Sequence, residues 1–127
     1  MGPRPWVVLG GGGLRGLAHL GALRILTDAG LDPAGVLGTS IGALVGACYS
    51  GGQSFEDMER VARAVARDDI AVMPRRMFWA QGVRSAALYR GDVLRAYLKR
   101  VLPARGWEAL SVRFQTNAVE LGTGRTE

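Results

Sequence analysis

The fold is decided by residues 6–52, WVVLGGGGLRGLAHLGALRILTDAGLDPAGVLGTSIGALVGACYSGG. The short apolar run Trp6–Leu9 ends in glycines and is typical of a buried parallel strand. A leucine-rich helix is predicted from Leu14 to Ala29, a second strand from Ala34 to Leu37, and a small-residue helix from Ser40 to Tyr49. This β-α-β-α order predicts an α/β fold, a three-layer α/β/α arrangement with a mostly parallel central sheet.

Further elements are predicted beyond residue 52. Ser54 is a good N-cap for a helix that ends near Arg67, and residues 73–88 are predicted to be irregular. Another helix is predicted from Gly91 to Val101, and a strand from Ser111 to Leu121. A chain of 127 residues with 48% hydrophobic content is expected to form one domain.

Composition excludes several classes of function. The net charge is +5, but the arginines are scattered, so nucleic acid binding has no motif to support it, while anionic lipid would be attracted. One histidine and one cysteine cannot supply the usual ligands of a metal site, and no cofactor is predicted. The N-terminal apolar run is too short for a signal peptide, which predicts a cytoplasmic protein, and its attraction to anionic lipid would allow peripheral membrane contact.

The motif GTSIG, Gly38–Gly42, fits the pattern G-x-S-x-G between a predicted strand and a predicted helix. This is the context of a nucleophile elbow, in which a sharp turn exposes the serine at the start of a helix. The helix N-terminus would also offer N–H groups to a developing oxyanion. Ser40 is therefore the candidate nucleophile, and Gly38 and Gly42 are the glycines that leave room around it.

The glycine-rich segment GGGGLRG, Gly10–Gly16, contains G-x-G-x-x-G after a strand and before a helix. Such a loop can bind the pyrophosphate of a dinucleotide, or it can present amides to the oxyanion of an acyl transfer reaction. The dinucleotide function needs an acidic residue at the end of the next strand, where this chain has Ser40. We therefore predict an oxyanion hole formed by Gly11, Gly12, Gly13, Leu14 and Arg15, with Gly16 as a further motif glycine.

These residues resemble a known family. The segments GGGGLRGLAHLGAL from Gly10 and GTSIGALVGACYSGG from Gly38 are similar to the patatin-like phospholipases, and ALYRGDVLRAYLKRVL and FQTNAVELGTGRTE continue the resemblance more weakly. The resemblance implies a lipid acyl hydrolase that acts on a lipid ester through a Ser-Asp dyad. The aspartate of that dyad belongs to a D-G-G or D-G-A motif on a later strand.

No aspartate of this chain is followed by glycine. We therefore expect residues 1–127 to be the N-terminal portion of a single patatin-like domain, with the dyad aspartate beyond the chain. A catalytically inactive homologue that binds lipid or a partner is the alternative, and a dinucleotide-binding βαβ unit is the third.

Two other features attract functional interpretations. His19, the single histidine, is predicted to pack or hydrogen-bond near the glycine-rich loop rather than to act as a base. Met77, Phe78 and Trp79 lie among arginines, as in segments that contact a membrane interface. A loop packed on the core or folded over the site is the simpler interpretation of this segment.

Overall fold

A computed structural model describes residues 4–67, 91–103 and 106–127 of the chain. Three parallel strands, β1 (Trp6–Leu9), β2 (Gly35–Gly38) and β3 (Arg113–Thr116), form a sheet in the order β1-β2-β3. Gly38 at the end of β2 pairs with Leu9 on one side and Thr116 on the other, so all three strands end at one edge. The predicted α/β fold with a parallel sheet is confirmed.

Four α-helices accompany the strands in the described ranges. They are α1 (Ala18–Asp28), α2 (Ile41–Ser50), α3 (Phe55–Arg67) and α4 (Gly91–Val101). A 3₁₀ turn, Gly13–Leu17, precedes α1, and another, Trp107–Ala109, precedes β3. No helix of the described residues is long and apolar enough to cross a membrane.

The carboxyl end of α1 follows its sequence signal, whereas its amino end does not. Gly30, the residue after the end of the predicted first helix, has φ +93°, and its N–H donates to Thr27 O. The N–H of Leu31 donates to Leu26 O, which completes a Schellman motif. The helix predicted from Leu14 starts later than expected, because residues 13–17 form the tighter 3₁₀ turn.

The third strand is shorter than the predicted strand Ser111–Leu121, since β3 ends at Thr116. Beyond it, Ala118 and Glu127 exchange two backbone hydrogen bonds, and Glu120 N–H donates to Arg125 O. The chain therefore folds back on itself as a short hairpin, and these bonds replace the continuation of β3. Residues 73–88, predicted to be irregular, lie outside the described part of the chain.

The core lies between the sheet and the helices, on one face of the sheet. Leu9, Leu23, Val36, Val45, Cys48 and Met58 form a single buried cluster contributed by β1, β2, α1, α2 and α3. A Cβ atom on Gly46 would lie 2.8 Å from Phe114 Cε2 and 3.0 Å from Val36 Cγ1, so the glycine lets α2 approach the sheet closely. Val8 points to the opposite face and is 69% exposed, so the described helices leave that face of β1 open.

Candidate active site

Ser40 lies in the tight turn between β2 and α2, at the carboxyl edge of the sheet. Its backbone has φ 56° and ψ −124°, and it is the one non-glycine residue with positive φ in the described ranges. A bulky or hydroxylated residue adopts such a conformation at a cost of about 1–3 kcal/mol, which the surrounding structure must offset. Its side chain caps no backbone N–H of α2 and is exposed, so Oγ remains free to react.

The two motif glycines on either side of Ser40 are required by packing. A Cβ atom on Gly38 would lie 2.5 Å from Gly42 O and 2.6 Å from Ala43 Cα. A Cβ atom on Gly42 would lie 2.6 Å from the carbonyl carbon of Leu9 and 2.7 Å from Gly10 O. The spacing G-x-S-x-G therefore follows from steric contact, because the turn fits only where both backbones approach without side chains.

The glycine-rich loop leaves β1 directly beside this turn. A Cβ atom on Gly11 would be 3.5 Å from Ser40 Cβ, and Gly12 and Gly13 have φ +149° and +57°. In the described part of the chain, the N–H groups of Gly11, Gly12 and Gly13 donate to no backbone oxygen. Exposed, unpaired amides next to a serine are what stabilisation of an oxyanion requires.

Leu14, Arg15 and Gly16 continue the loop as the 3₁₀ turn. Leu14 and Arg15 are exposed and lie in the first turn, where N–H groups lack intrahelical partners. Gly16 is buried against the side chain of Ile41, the first residue of α2. This contact packs the loop against the helix that follows Ser40.

His19 holds the same loop from the other side. Its Nε2 lies 2.9 Å from Gly10 O, and because a carbonyl can only accept, Nε2–H is the donor. Nε2 is therefore occupied and protonated, as expected for a histidine that organises the loop rather than one that takes a proton from Ser40 through this atom. The sequence interpretation of His19 agrees with this geometry.

A second side-chain hydrogen bond at the site was missed by the sequence analysis. Thr39 Oγ1 donates to Asn117 Oδ1 at 2.8 Å, and both residues are exposed at the carboxyl edge. Asn117 directly follows β3, just as Thr39 follows β2. Its position after the third strand was the available signal, but the predicted strand ran to Leu121 and so placed Asn117 within it.

The aspartates of the described residues lie away from Ser40 or are engaged elsewhere. Asp32 accepts a hydrogen bond of 2.6 Å from Arg4, ahead of β1 and β2, and Asp57 pairs with Arg60 in α3. Asp28 ends α1, which leads to the amino end of β2. Asp68 and Asp69 lie outside the described residues, and the side chain of Asp92 is not described.

In the ranges the structure describes, no three His, Cys, Asp or Glu side chains are grouped so that they could hold a metal ion. The glycine-rich loop is the remaining feature that could bind an anionic cofactor. It lies beside the serine turn, and β2 ends in that turn rather than in an acid for a ribose. Met77, Phe78 and Trp79 fall outside the described residues.

Fold and site together define an α/β protein with a strained serine at a strand–turn–helix junction. Beside the serine lies a glycine-rich loop whose Gly11, Gly12 and Gly13 N–H groups donate to no backbone oxygen in the described residues. Residues 7–125 match the family model described as patatin-like phospholipase, so the chain belongs to that family. The family resemblance stated from the sequence is confirmed.

Similar proteins include patatin-like phospholipase domain-containing protein 6 of Homo sapiens, 42% identical over 67 residues, which are 53% of this chain and 5% of the relative. An uncharacterized NTE family protein of Mycobacterium tuberculosis is 25% identical over 124 residues, 98% of this chain and 33% of the relative. A lysophospholipase of Pyricularia oryzae is 54% identical over 44 residues, 35% of this chain and 3% of the relative. The chain thus spans a third or less of the length of these relatives.

Proposed function

We propose that this chain carries the nucleophile and oxyanion hole of a serine hydrolase that cleaves carboxylic ester bonds of lipids. One observation carries the proposal: Ser40, with φ 56° and a free Oγ, lies beside loop amides that donate to no backbone oxygen in the described part of the chain. Lipid as the substrate class is supported by membership of the patatin-like phospholipase family and by the lysophospholipase among the similar proteins.

In the proposed reaction, Ser40 Oγ attacks the acyl carbonyl carbon and releases the alcohol, leaving an acyl-enzyme that water hydrolyses. The negative charge of each tetrahedral intermediate is held by N–H groups of Gly11, Gly12 and Gly13, with Leu14 as a further donor. Arg15 is exposed on the same turn and adds positive charge there. His19 keeps the loop in place through Gly10 O.

The base in this proposal is an aspartate that forms a dyad with Ser40 and lies beyond the 127 residues. Two observations support it. No aspartate of this chain precedes a glycine, and the three whose side chains are described lie at the other end of the sheet or in α3. Free serine is a weak nucleophile and needs such a base for efficient attack.

The test is labelling by a fluorophosphonate and hydrolysis of p-nitrophenyl butyrate and a lysophospholipid. The assays compare this chain, its Ser40→Ala variant and a protein extended through the next D-G-G or D-G-A motif. Ser54→Ala is the matched control, because Ser54 also precedes a helix but its Oγ accepts the Asp57 N–H. We expect turnover in the extended form that Ser40→Ala abolishes and Ser54→Ala retains.

Other results would favour a different function. Turnover by the 127-residue chain through Ser40 would mean that a group within it acts as the base and would overturn the dyad. No labelling and no turnover in either form would favour the alternative, a catalytically inactive homologue that binds lipid. That alternative rests on the absence of an aspartate near Ser40 in the described residues.

We also propose that Met77, Phe78 and Trp79 bring the protein to a lipid surface. The support is the sequence itself, which combines large apolar side chains with neighbouring arginines. Replacing Phe78 and Trp79 with Ser should lower binding to anionic vesicles in a sedimentation assay. Unchanged binding would contradict this role.

A further inference from the structure

Thr39 makes three hydrogen bonds with its surroundings, two through its backbone and one through its side chain. Its N–H donates to Leu9 O at 3.0 Å, towards β1, and its carbonyl accepts the Gly42 N–H at 3.0 Å. Its hydroxyl donates to Asn117 Oδ1 at 2.8 Å, towards β3. The first two bonds are available to any residue other than proline at this position, whereas the third requires a hydroxyl at residue 39 and an acceptor at residue 117.

The third bond lies just beyond the last backbone pairing between β2 and β3. The pairing of β2 with β3 ends at Gly38 and Thr116, one residue before Thr39 and Asn117. At the next residue the chain adopts the strained conformation of Ser40. A strained residue persists only when its neighbours over-determine it, and the side-chain bond adds a constraint on the β3 side immediately before the strain.

From this geometry we infer that Asn117 and Thr39 are positioning residues, whose hydrogen bond holds the Ser40 turn in its reactive conformation. The inference rests on the proposed function for its catalytic consequence, but its structural part stands on the contacts alone. Neither side chain is assigned a direct contact with substrate. Their effect reaches Ser40 through the backbone of residue 39.

The structural part is tested by amide hydrogen exchange in this chain. The Gly42 and Ala43 amides, bonded to Thr39 O and Ser40 O, report opening of the turn, and the Gly51 amide at the far end of α2 is the internal control. Thr39→Val and Asn117→Ala should each raise exchange at Gly42 and Ala43 by about three- to tenfold, the loss expected for one hydrogen bond. Exchange at Gly51 should stay unchanged, which also shows that each variant is folded.

Two further variants separate the hydrogen bond from simple packing. Thr39→Ser keeps the hydroxyl and should restore exchange to within about twofold of the original chain, while the double variant should exchange no faster than either single one. Thr123→Val is the matched control, since it also removes a hydroxyl that donates to a side-chain oxygen, that of Glu120 in the terminal hairpin. It should leave Gly42 and Ala43 unaffected.

The catalytic part is read from the rate of fluorophosphonate labelling at Ser40. The same variants should slow labelling by about two- to tenfold, because one hydrogen bond that holds the reactive geometry is lost, and Thr39→Ser should restore the rate. Unchanged exchange at Gly42 in Asn117→Ala, or additive effects in the double variant, would overturn the inference. If exchange responds as described but Ser40 is never labelled, in this chain or the extended protein, the proposed function fails and the positioning role stands.

Discussion

In the described ranges, two helices begin directly after a serine, and the two serines differ in backbone conformation and in the role of the hydroxyl group. Ser54, ahead of α3, accepts the Asp57 N–H at 3.1 Å with its Oγ and the Met58 N–H with its carbonyl, which is an ordinary N-cap. Ser40, ahead of α2, has φ 56° and makes no side-chain cap. The capping serine stabilises its helix, whereas the strained serine leaves its hydroxyl unused. The residue type is the same, but Ser40 lies in the tight turn that directly follows strand β2.

The largest expected change in kcat comes from disturbing the glycine-rich loop. This loop lies beside Ser40, and among the described residues Ser54 has no counterpart to it. Gly13 has φ +57°, so Gly13→Ala strains the loop and should displace its amides. Loss of an oxyanion donor lowers kcat by about 10²–10³-fold, and we expect a decrease near the lower end in ester hydrolysis by the protein extended through the next D-G-G or D-G-A motif. Gly124→Ala is the control, because Gly124 has φ +69° and open space around it, in the hairpin. Equal losses of activity in both variants would contradict a specific role for the loop.

The second effect is on the free energy of unfolding, and it compares a glycine in α2 with a glycine in α1. At Gly42 an added methyl group meets the backbone of Leu9 and Gly10, so Gly42→Ala should lower the free energy of unfolding by about 1–3 kcal/mol. At Gly21 in α1 nothing lies within 4 Å, so Gly21→Ala should raise it by about 0.5–1 kcal/mol through helix propensity. Urea unfolding of both variants provides the measurement. An unchanged free energy of unfolding in Gly42→Ala would contradict the steric contact and show that the turn can accommodate a methyl group.

A third prediction exchanges each serine for glycine. Ser40→Gly removes the strain of a positive φ and should raise the free energy of unfolding by about 1 kcal/mol while abolishing labelling by a fluorophosphonate. Ser54→Gly removes a cap and should lower the free energy of unfolding by only a few tenths of a kcal/mol, about the usual cost of glycine at an N-cap. Urea unfolding should therefore show that the two variants change the free energy of unfolding in opposite directions. A destabilised Ser40→Gly would mean that the conformation of Ser40 is not strained.

The effect that is smallest at neutral pH concerns the buried thiol of Cys48 in α2. Burial raises the pKa of the Cys48 thiol from 9.0 to about 11. Below pH 9 the thiol is neutral in both states, and between about pH 9 and 11 the unfolded chain loses its proton first, so stability falls as pH rises through this window. Cys48→Ala should remove this part of the pH dependence. Reaction with a thiol reagent at pH 8 should be slow until the protein is unfolded, and rapid reaction of the folded chain would contradict burial.

Much of the architecture could be predicted from residues 6–52. The apolar run before the glycines, the small-residue helix and the Gly30 C-cap each follow from local chemistry, and the structure agrees with them to within a residue or two. The 3₁₀ turn Gly13–Leu17 was not predicted, since its residues continue the leucine pattern of α1. The pattern shows an amphipathic segment but does not distinguish the two helix types in its first turn.

The end of β3 shows where sequence reasoning fails for a different reason. Residues 111–121 keep a strand-like composition, but after Thr116 the backbone pairs with residues 125–127 instead of β2. The choice between these partners depends on where β2 and residues 125–127 lie in the fold rather than on the composition of the segment. Because the strand was predicted to continue to Leu121, Asn117 was not recognised as a neighbour of Thr39.

The sequence by itself determined the family, the serine at a strand-to-helix junction and the glycines around it, because each depends on a spacing of a few residues. The tertiary structure decided which groups meet at that junction. It placed Gly11 beside Ser40, the Nε2–H of His19 on Gly10 O and Asn117 on Thr39. The contacts of Gly11 with Ser40 and of Asn117 with Thr39 join residues far apart in the chain, and they exist because three parallel strands end at one edge of the sheet.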